Sequence, residues 1–340
     1  MRLASRRQAL AAFAATLAGA PALAQAPRRD TIAWRPVAVR AERLSGFAIG
    51  DAGRKQFGPL TFLGGLEMRG DLPEFGGISS AVMEPNGLDF IVASDQAHWI
   101  TGRLQVDGEG QLTGVTQVRV AAMIAPNGRR MKDTRFFDTE GMVRIGNRLL
   151  VSVERVHQII RFEIGADGPG GRGVLVPSPE GLRELNSNQG IEALGVMPTG
   201  SRAPGALIGI AERGRNADDI PGWIFSGPGA GSFQVARTRD FDVTDLGFLP
   251  GGDMILLERR FSPFWGIAFR LRRIPLARIA AGARLDGETI IEANMAYQID
   301  NMEALTIHRA ADGRTLFTLF SDDNFSVLQR NLVLRFAYSE

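Results

Sequence analysis

The chain reads as an all-β protein, a β-propeller in which five blades are counted and a sixth is left open. Its ring is expected to close by pairing strands from the two ends of the sequence. Three observations predict this. A hairpin unit recurs five times. No stretch carries a sustained helical period. The last unit is one strand short, while an unattached apolar strand stands near the N-terminus.

The first 26 residues are set aside as a targeting signal. Arg2, Arg6 and Arg7 form a basic start, an apolar run follows from Ala9 to Leu23, and small residues offer cleavage near Ala24 or Ala26. The Arg6-Arg7 pair suits the twin-arginine route, so a periplasmic or secreted mature chain is expected, 27–340, folded as a single domain. The apolar run is too short to span a bilayer, and no later stretch is long enough. The three signal arginines exceed the whole formal charge of +2, so the mature chain is close to neutral and the pI of 9.5 misleads. No nucleic-acid or membrane partner follows from such a balance, and no oligomeric state is legible. With no cysteine, the fold stands without disulfides.

Each repeat unit opens on a polar or acidic residue among small ones. An apolar strand follows, then a turn containing Gly, then a second apolar strand that ends on an acid. The openings are Ser79, Glu140, Glu192, Asp245 and Glu303, and the closing acids are Asp95, Glu154, Glu212, Glu258 and Asp322. Asn86-Gly87, Gly146-Asn147, Gly200, Gly251-Gly252 and Asp312-Gly313 supply the turns. Successive openings lie 52 to 61 residues apart, room for four short strands. His98–Val106 and Gln111–Met123 would complete the first unit. The last has Asn331–Tyr338 as its third strand and needs Leu60–Met68 as its fourth, which would remove an exposed edge. Residues 27–58 would extend that blade or build the sixth. Pro275–Arg284, rich in Ala and Arg, reads as a short helical connector.

In a hairpin, the start of one strand meets the end of the next. The openings and closing acids should therefore share one face and gather at the mouth of a central channel. Nine of these ten residues are acidic, and carboxylates so close repel one another unless something positive offsets them. One candidate is a hard cation such as calcium, which takes oxygen ligands. Asn188, Gln189, Asn301, Asp322, Asp323 and Asn324 lie beside the ring with suitable chemistry. Zinc is disfavoured, because there is no Cys and His98, His157 and His308 stand apart. The other candidate is arginine. Glu154-Arg155, Glu212-Arg213 and Glu258-Arg259 repeat an acid–Arg pair at strand ends, and each acid is expected to latch onto the Arg of an adjacent blade. The remaining motifs carry less. Gly227–Gly231 lacks the Lys of a phosphate loop, and the surroundings of Ser79 lack a nucleophile elbow. Trp99, Trp223 and Trp265 are expected to fill space between blades. Residues 127–137, with Arg129, Arg130, Lys132 and Arg135, form either a solvated loop or a basic flap over the entrance.

Several runs resemble the phytase-like family of exported bacterial proteins, described by an esterase-like activity of phytase. They are Phe75-Gly76-Gly77-Ile78-Ser79, Asp138-Thr139-Glu140-Gly141, Glu154-Arg155-Val156-His157, Gln189-Gly190-Ile191-Glu192, Leu257-Glu258-Arg259-Arg260-Phe261-Ser262, Asp300-Asn301-Met302-Glu303 and Ser321-Asp322-Asp323-Asn324-Phe325-Ser326. The run Gln96-Ala97-His98-Trp99 departs from the family pattern, which places Gly where Ala97 stands. The resemblance implies a propeller and ester or phosphoester hydrolysis, by analogy with propeller phytases that hold phosphate on calcium. It implies no residue-by-residue catalytic set.

The expectation is a calcium-dependent hydrolase of a small anionic or ester substrate. Glu140, Glu192 and Glu303 would serve as ligands or general base, with Asp322, Asp323, Asn324, Asp95 and Asp245 as further metal ligands. Arg155, Arg213 and Arg259 would clamp the anionic group. Glu154, Glu212 and Glu258 are expected mainly to latch. The rival readings are a binding propeller whose acids are all paired with Arg, and a sugar-lactone hydrolase.

Overall fold

The computed structural model describes residues 32–186 and 189–340; the segment expected to be a targeting signal and Asn188 lie outside the described residues. Five sheets stand around one axis, antiparallel except where the short strand Arg284–Leu285 adds in parallel to the outer edge of the third sheet. Blade 1 runs outward through Ile78–Met83, Asp89–Ser94, His98–Val106 and Leu112–Ala122. Blade 2 uses Thr139–Ile145, Arg148–Val153, Gln158–Gly165 and Gly168–Val176. Blade 3 uses Ile191–Val196, Leu207–Ala211, Asp219–Ile224 and Gly231–Ala236. Blade 4 uses Asp242–Phe248, Met254–Ser262, Gly266–Ile274 and Glu288–Ala293. Blade 5 uses Asn301–Arg309, Thr315–Asp322 and Asn331–Tyr338.

The ring closes as the sequence predicts. Leu60–Gly70 pairs antiparallel with Asn331–Tyr338, Tyr338 facing Leu60 and Asn331 facing Met68. The earlier residues build no sixth blade among the described residues. Val39–Arg43 adds a fifth strand to blade 5, while Arg35–Pro36 caps the outer edge of blade 1. Both additions cover edges that would otherwise expose unpaired backbone groups. The five innermost strands each touch the next around the axis, and the last touches the first. The connector at Pro275–Arg284 holds a single 3-10 turn, Leu276–Arg278. No helix among the described residues is long and apolar enough to cross a membrane.

The core is a series of wedges between blades rather than one centre. Trp99 and Phe162 fill the wedge between blades 1 and 2, and Trp223 sits in the one around blade 3. Phe269, Phe317 and Phe336 fill the space between blades 4 and 5, while Phe90 and Phe320 fill that between 5 and 1. Strand alternation puts apolar side chains on both faces of every blade, because each face packs against a neighbour. Trp265 is the exception to the expectation for the tryptophans. It lies 80% exposed at the tip of the hairpin that leaves the mouth of blade 4.

Candidate active site at the channel mouth

Every innermost strand carries a register shift near its start. The shifts fall at Ser79, at Glu140-Gly141, at Glu192, at Thr244 and at Glu303. A bulge leaves one residue without a partner and re-aims its side chain. The five bulges therefore set five side chains at one level of the ring: Ser79, Glu140, Glu192, Thr244 and Glu303. The sequence repeat in blade 4 is thus one residue out of step. Thr244, not Asp245, occupies the position of the glutamates.

The same correction applies to the closing acids. The residues paired just before each bulge are Ser94, Val153, Ala211, Glu258 and Ser321. Those that follow, which face the mouth, are Asp95, Glu154, Glu212, Arg259 and Asp322. Blade 4 presents arginine where the other four present acids. Glu258 points away from the channel, fully buried, and accepts from Arg270 at 2.6 and 3.1 Å and from Arg272 at 2.6 Å. It latches within its own blade, not across to a neighbour.

Three carboxylates converge. Oxygens of Glu140, Glu192 and Glu303 lie within 4.8 Å of one another, with Glu192 and Glu303 buried and Glu140 half-buried. Two further trios share members with this group, Asp138–Glu140–Glu154 and Glu154–Glu192–Glu212. Arg259 reaches into the array, 3.1 Å from Glu303 and 3.3 Å from Glu212. Burial, then the neighbouring carboxylates, hold the pKa of Glu140 and of Glu192 well above the ordinary range. Burial likewise raises Glu154 and Asp95 to about 7 each, opposed by a backbone hydrogen bond at each and, at Glu154, by the charge of Arg155. Asp322 is pushed well up by burial and by Glu303.

Several residues expected at the site are committed elsewhere. Asp323 accepts from the amides of Gly77 at 2.9 Å and Phe325 at 3.1 Å, and from the Asn331 side chain at 2.7 Å. It clasps blade 5 to blade 1. Asp245 accepts from the amides of Leu246 and Leu305 at 2.8 and 2.7 Å, clasping blade 4 to blade 5. The amide of Asn324 donates to Asp322 at 2.7 Å, and Asn324 and Phe325 both adopt left-handed backbone. Arg155 pairs with Asp138 at 2.6 Å, and Arg213 with Asp242 at 2.6 Å across blades 3 and 4. Glu154 takes no arginine among the described residues' ion pairs; it accepts from the Gly190 amide at 3.3 Å. Glu212 lies between Arg259 and, at 3.8 Å, Arg213. The 127–137 segment is pinned by buried Met131 and Phe136, and Lys132 donates to Gln96 at 2.6 Å.

Hydroxyls do much of the latching expected of arginine. Ser79 donates to the Thr139 carbonyl at 2.6 Å, Ser152 to Ile191 at 2.6 Å, and Thr244 to Met302 at 3.1 Å, each from one blade to the next. Two site residues lie outside the ten repeat positions. Asp138 stands two residues before Glu140 on the same strand edge, a spacing that was readable. Thr244 was hidden by the acidic Asp245 beside it.

The fold and site define a five-bladed propeller with an acid-lined channel mouth balanced by few cations. The chain belongs to the phytase-like family, described as "esterase-like activity of phytase", whose pattern matches residues 73–325. Among solved structures, it is similar to an endo-arabinase from Bacteroides thetaiotaomicron, with a TM-score of 0.50, 10% identity, and coverage of 79% of this chain and 96% of that one. It also resembles the PQQ-bound aldose sugar dehydrogenase of Streptomyces coelicolor, with a TM-score of 0.44, 12% identity, and coverage of 82% and 98%. A comparison with curated proteins returned no match. Likenesses this distant speak to fold alone.

Proposed function

We propose that this protein is a periplasmic hydrolase of phosphoesters or esters, working at the channel mouth with a calcium ion. The observation that carries the reading is the convergence of Glu140, Glu192 and Glu303 within 4.8 Å, with Arg259 as the guanidinium in contact. The donor set fits the ion. It is all carboxylate oxygen, it lies in a buried place, and its charge is only partly offset. Glu140, Glu192 and Glu303 would hold the cation, and Asp322 and Glu212 border it. A bound divalent ion supplies polarisation of a substrate oxygen and a lowered pKa for water.

The protein's own groups supply proton exchange and anchoring. With pKa values of about 7, Glu154 and Asp95 can accept or release a proton at neutral pH, as a general base or acid must. Arg213 and Arg155 stand half-exposed at the rim, where a guanidinium edge can meet an anionic group. Arg259 is held too deep between Glu212 and Glu303 for that task and serves to balance the array.

The purified mature chain should hydrolyse an aryl phosphate or an aryl ester, lose that activity to a chelator and regain it with calcium. Glu140→Gln should lower kcat at least about 100-fold, the scale on which removal of one preorganised site group acts. Hydrolysis unchanged by both chelator and Glu140→Gln would remove the metal mechanism, whereas no hydrolysis of either substrate would favour the binding propeller, which the Arg213–Asp242 and Arg259–Glu212 pairs across blades also suit.

A further inference from the structure

A second charged site lies far from the mouth, in the wedge between blades 5 and 1. Arg335 belongs to Asn331–Tyr338, the strand that closes the ring. Its side chain is buried, 4% exposed, facing the Asn86-Gly87 turn of blade 1. The other deeply buried arginines have carboxylates: Arg270 has Glu258, and Arg272 has Glu258 and Asp286. Among the described residues, Arg335 has none within ion-pair distance. Its Nη2 donates to the Gly87 carbonyl at 3.1 Å and lies 3.4 Å from His308 Nε2. Its Nε and Nη1 are buried without a partner. Arg314 adds positive charge to the surroundings, and the nearest compensating acid, Asp312, is exposed and bonded to Arg314.

Beside this cation stands a matching unpartnered hydroxyl. Thr318 pairs directly with Arg335 across the sheet and is fully buried, and its Oγ1 has no partner. Directly opposed residues share one face, their Cβ atoms about 5 Å apart. The hydroxyl and the root of the guanidinium therefore border the same space. Thr306, the next residue in that row, donates to the Thr318 carbonyl at 3.3 Å. A guanidinium keeps its charge at any physiological pH. A buried charge without a counter-charge is costly, and the cost is met by an ion of opposite sign or by displacement of the group. The backbone holds Arg335 in mid-strand, paired with Thr318 on one side, while on the other a bulge at Arg335 is flanked by the Leu334–Gly65 and Phe336–Phe62 pairs.

We propose that a small monovalent anion of the halide class, chloride in ordinary salt, binds at Arg335 between blades 5 and 1, taking N–H from the guanidinium and O–H from Thr318. It would act as a counter-ion for the strand that closes the ring, and it is independent of the chemistry at the mouth. The mature protein should melt at a higher temperature as chloride replaces gluconate at fixed ionic strength. Above the dissociation constant, each tenfold rise in chloride should raise the folded-to-unfolded ratio about tenfold. Arg335→Met should lose this response, and in gluconate it should melt above the unsubstituted protein, because a buried charge has gone. Crystals grown in bromide should show an anomalous peak within hydrogen-bond reach of Arg335 Nε or Nη1. That measurement needs no variant, and Thr318→Val, with a weakened chloride response, serves if Arg335→Met fails to fold. Equal chloride slopes in the unsubstituted protein and Arg335→Met would overturn the proposal. So would a water without anomalous signal at Arg335.

Discussion

Arg259 stands where four other blades place an acid, and that exchange sets the charge of the mouth. Its guanidinium touches Glu303 and Glu212, and the negative charge of Glu303, then of Glu212 and Glu192, raises its pKa against the opposing effect of burial. Arg259→Gln keeps much of the volume and removes the charge. We expect the variant to melt lower than the unsubstituted protein in chelator, because Glu192, Glu212 and Glu303 lose their counter-charge. Calcium should then raise its melting temperature by more than it raises that of the unsubstituted protein, since the cation replaces what the arginine supplied. Equal calcium increments in the two proteins would show that Arg259 does not share a charge-balancing role with a bound ion. Glu258 makes the opposite test. It is fully buried and holds two arginines, so Glu258→Gln leaves Arg270 and Arg272 poorly compensated and should cost about 3–5 kcal/mol in a denaturant titration. Activity of the folded fraction should persist, because Glu258 faces away from the channel. Ala97 is a smaller case: it holds a left-handed backbone, φ 56°, where the family pattern has Gly.

The bulged inner strands explain why glycines accompany the acids. A Cβ on Gly141 would overlap the carbonyl of Glu192 in the next blade, and one on Gly190 would come within 2.6 Å of Glu154 Cγ. Gly76 and Gly77 have positive φ, and a Cβ on Gly76 would lie 2.6 Å from Asp323 Oδ1. The runs Glu140-Gly141, Gly190-Ile191-Glu192 and Gly76-Gly77 are thus one device, a carboxylate placed where the neighbouring strand must come close. Gly141→Ala should lower stability by about 1–3 kcal/mol, as overpacking does. Gly108→Ala, with nothing near its added methyl, should change it by less than about 0.5 kcal/mol. Equal melting temperatures for the two variants would contradict the close-approach argument. These devices also mark what could be read in advance. Hairpin turns, the missing fourth strand and the trio of Glu140, Glu192 and Glu303 followed from period and polarity alone. The bulge did not, because a one-residue slip changes no composition. In blade 4 it let Asp245 and Glu258 pass for ring members, when both are buried clasps. Nor does a sequence show whether Asp323 faces a cavity or, as here, three donors.

A mouth that gathers more carboxylates than cations couples the stability of the whole ring to pH. A carboxyl with a higher pKa in the folded than in the unfolded chain binds more protons when folded, between the two values. Its contribution is full below the unfolded pKa, near 4, and is lost as pH rises through the folded value. For Asp95 and Glu154 that loss centres on about 7, and for Glu140, Glu192 and Asp322 it lies higher. His98 and His308 act the other way. Burial lowers both to about 4, so they stabilise the fold above the unfolded value of about 6.5 and withdraw that support as pH falls toward 4. The two effects oppose one another below pH 6.5, but above it only the carboxyls change. In chelator, the melting temperature should therefore fall between pH 6.5 and 8.5. With millimolar calcium, the fall should be largely abolished, because a cation that binds the deprotonated cluster takes the place of its protons. The calcium increment should then be larger at pH 8.5 than at pH 6.5. A melting temperature that rises with pH in chelator would contradict the buried, self-repelling cluster. A calcium increment equal at both pH values would place the ion somewhere other than Glu140, Glu192 and Glu303.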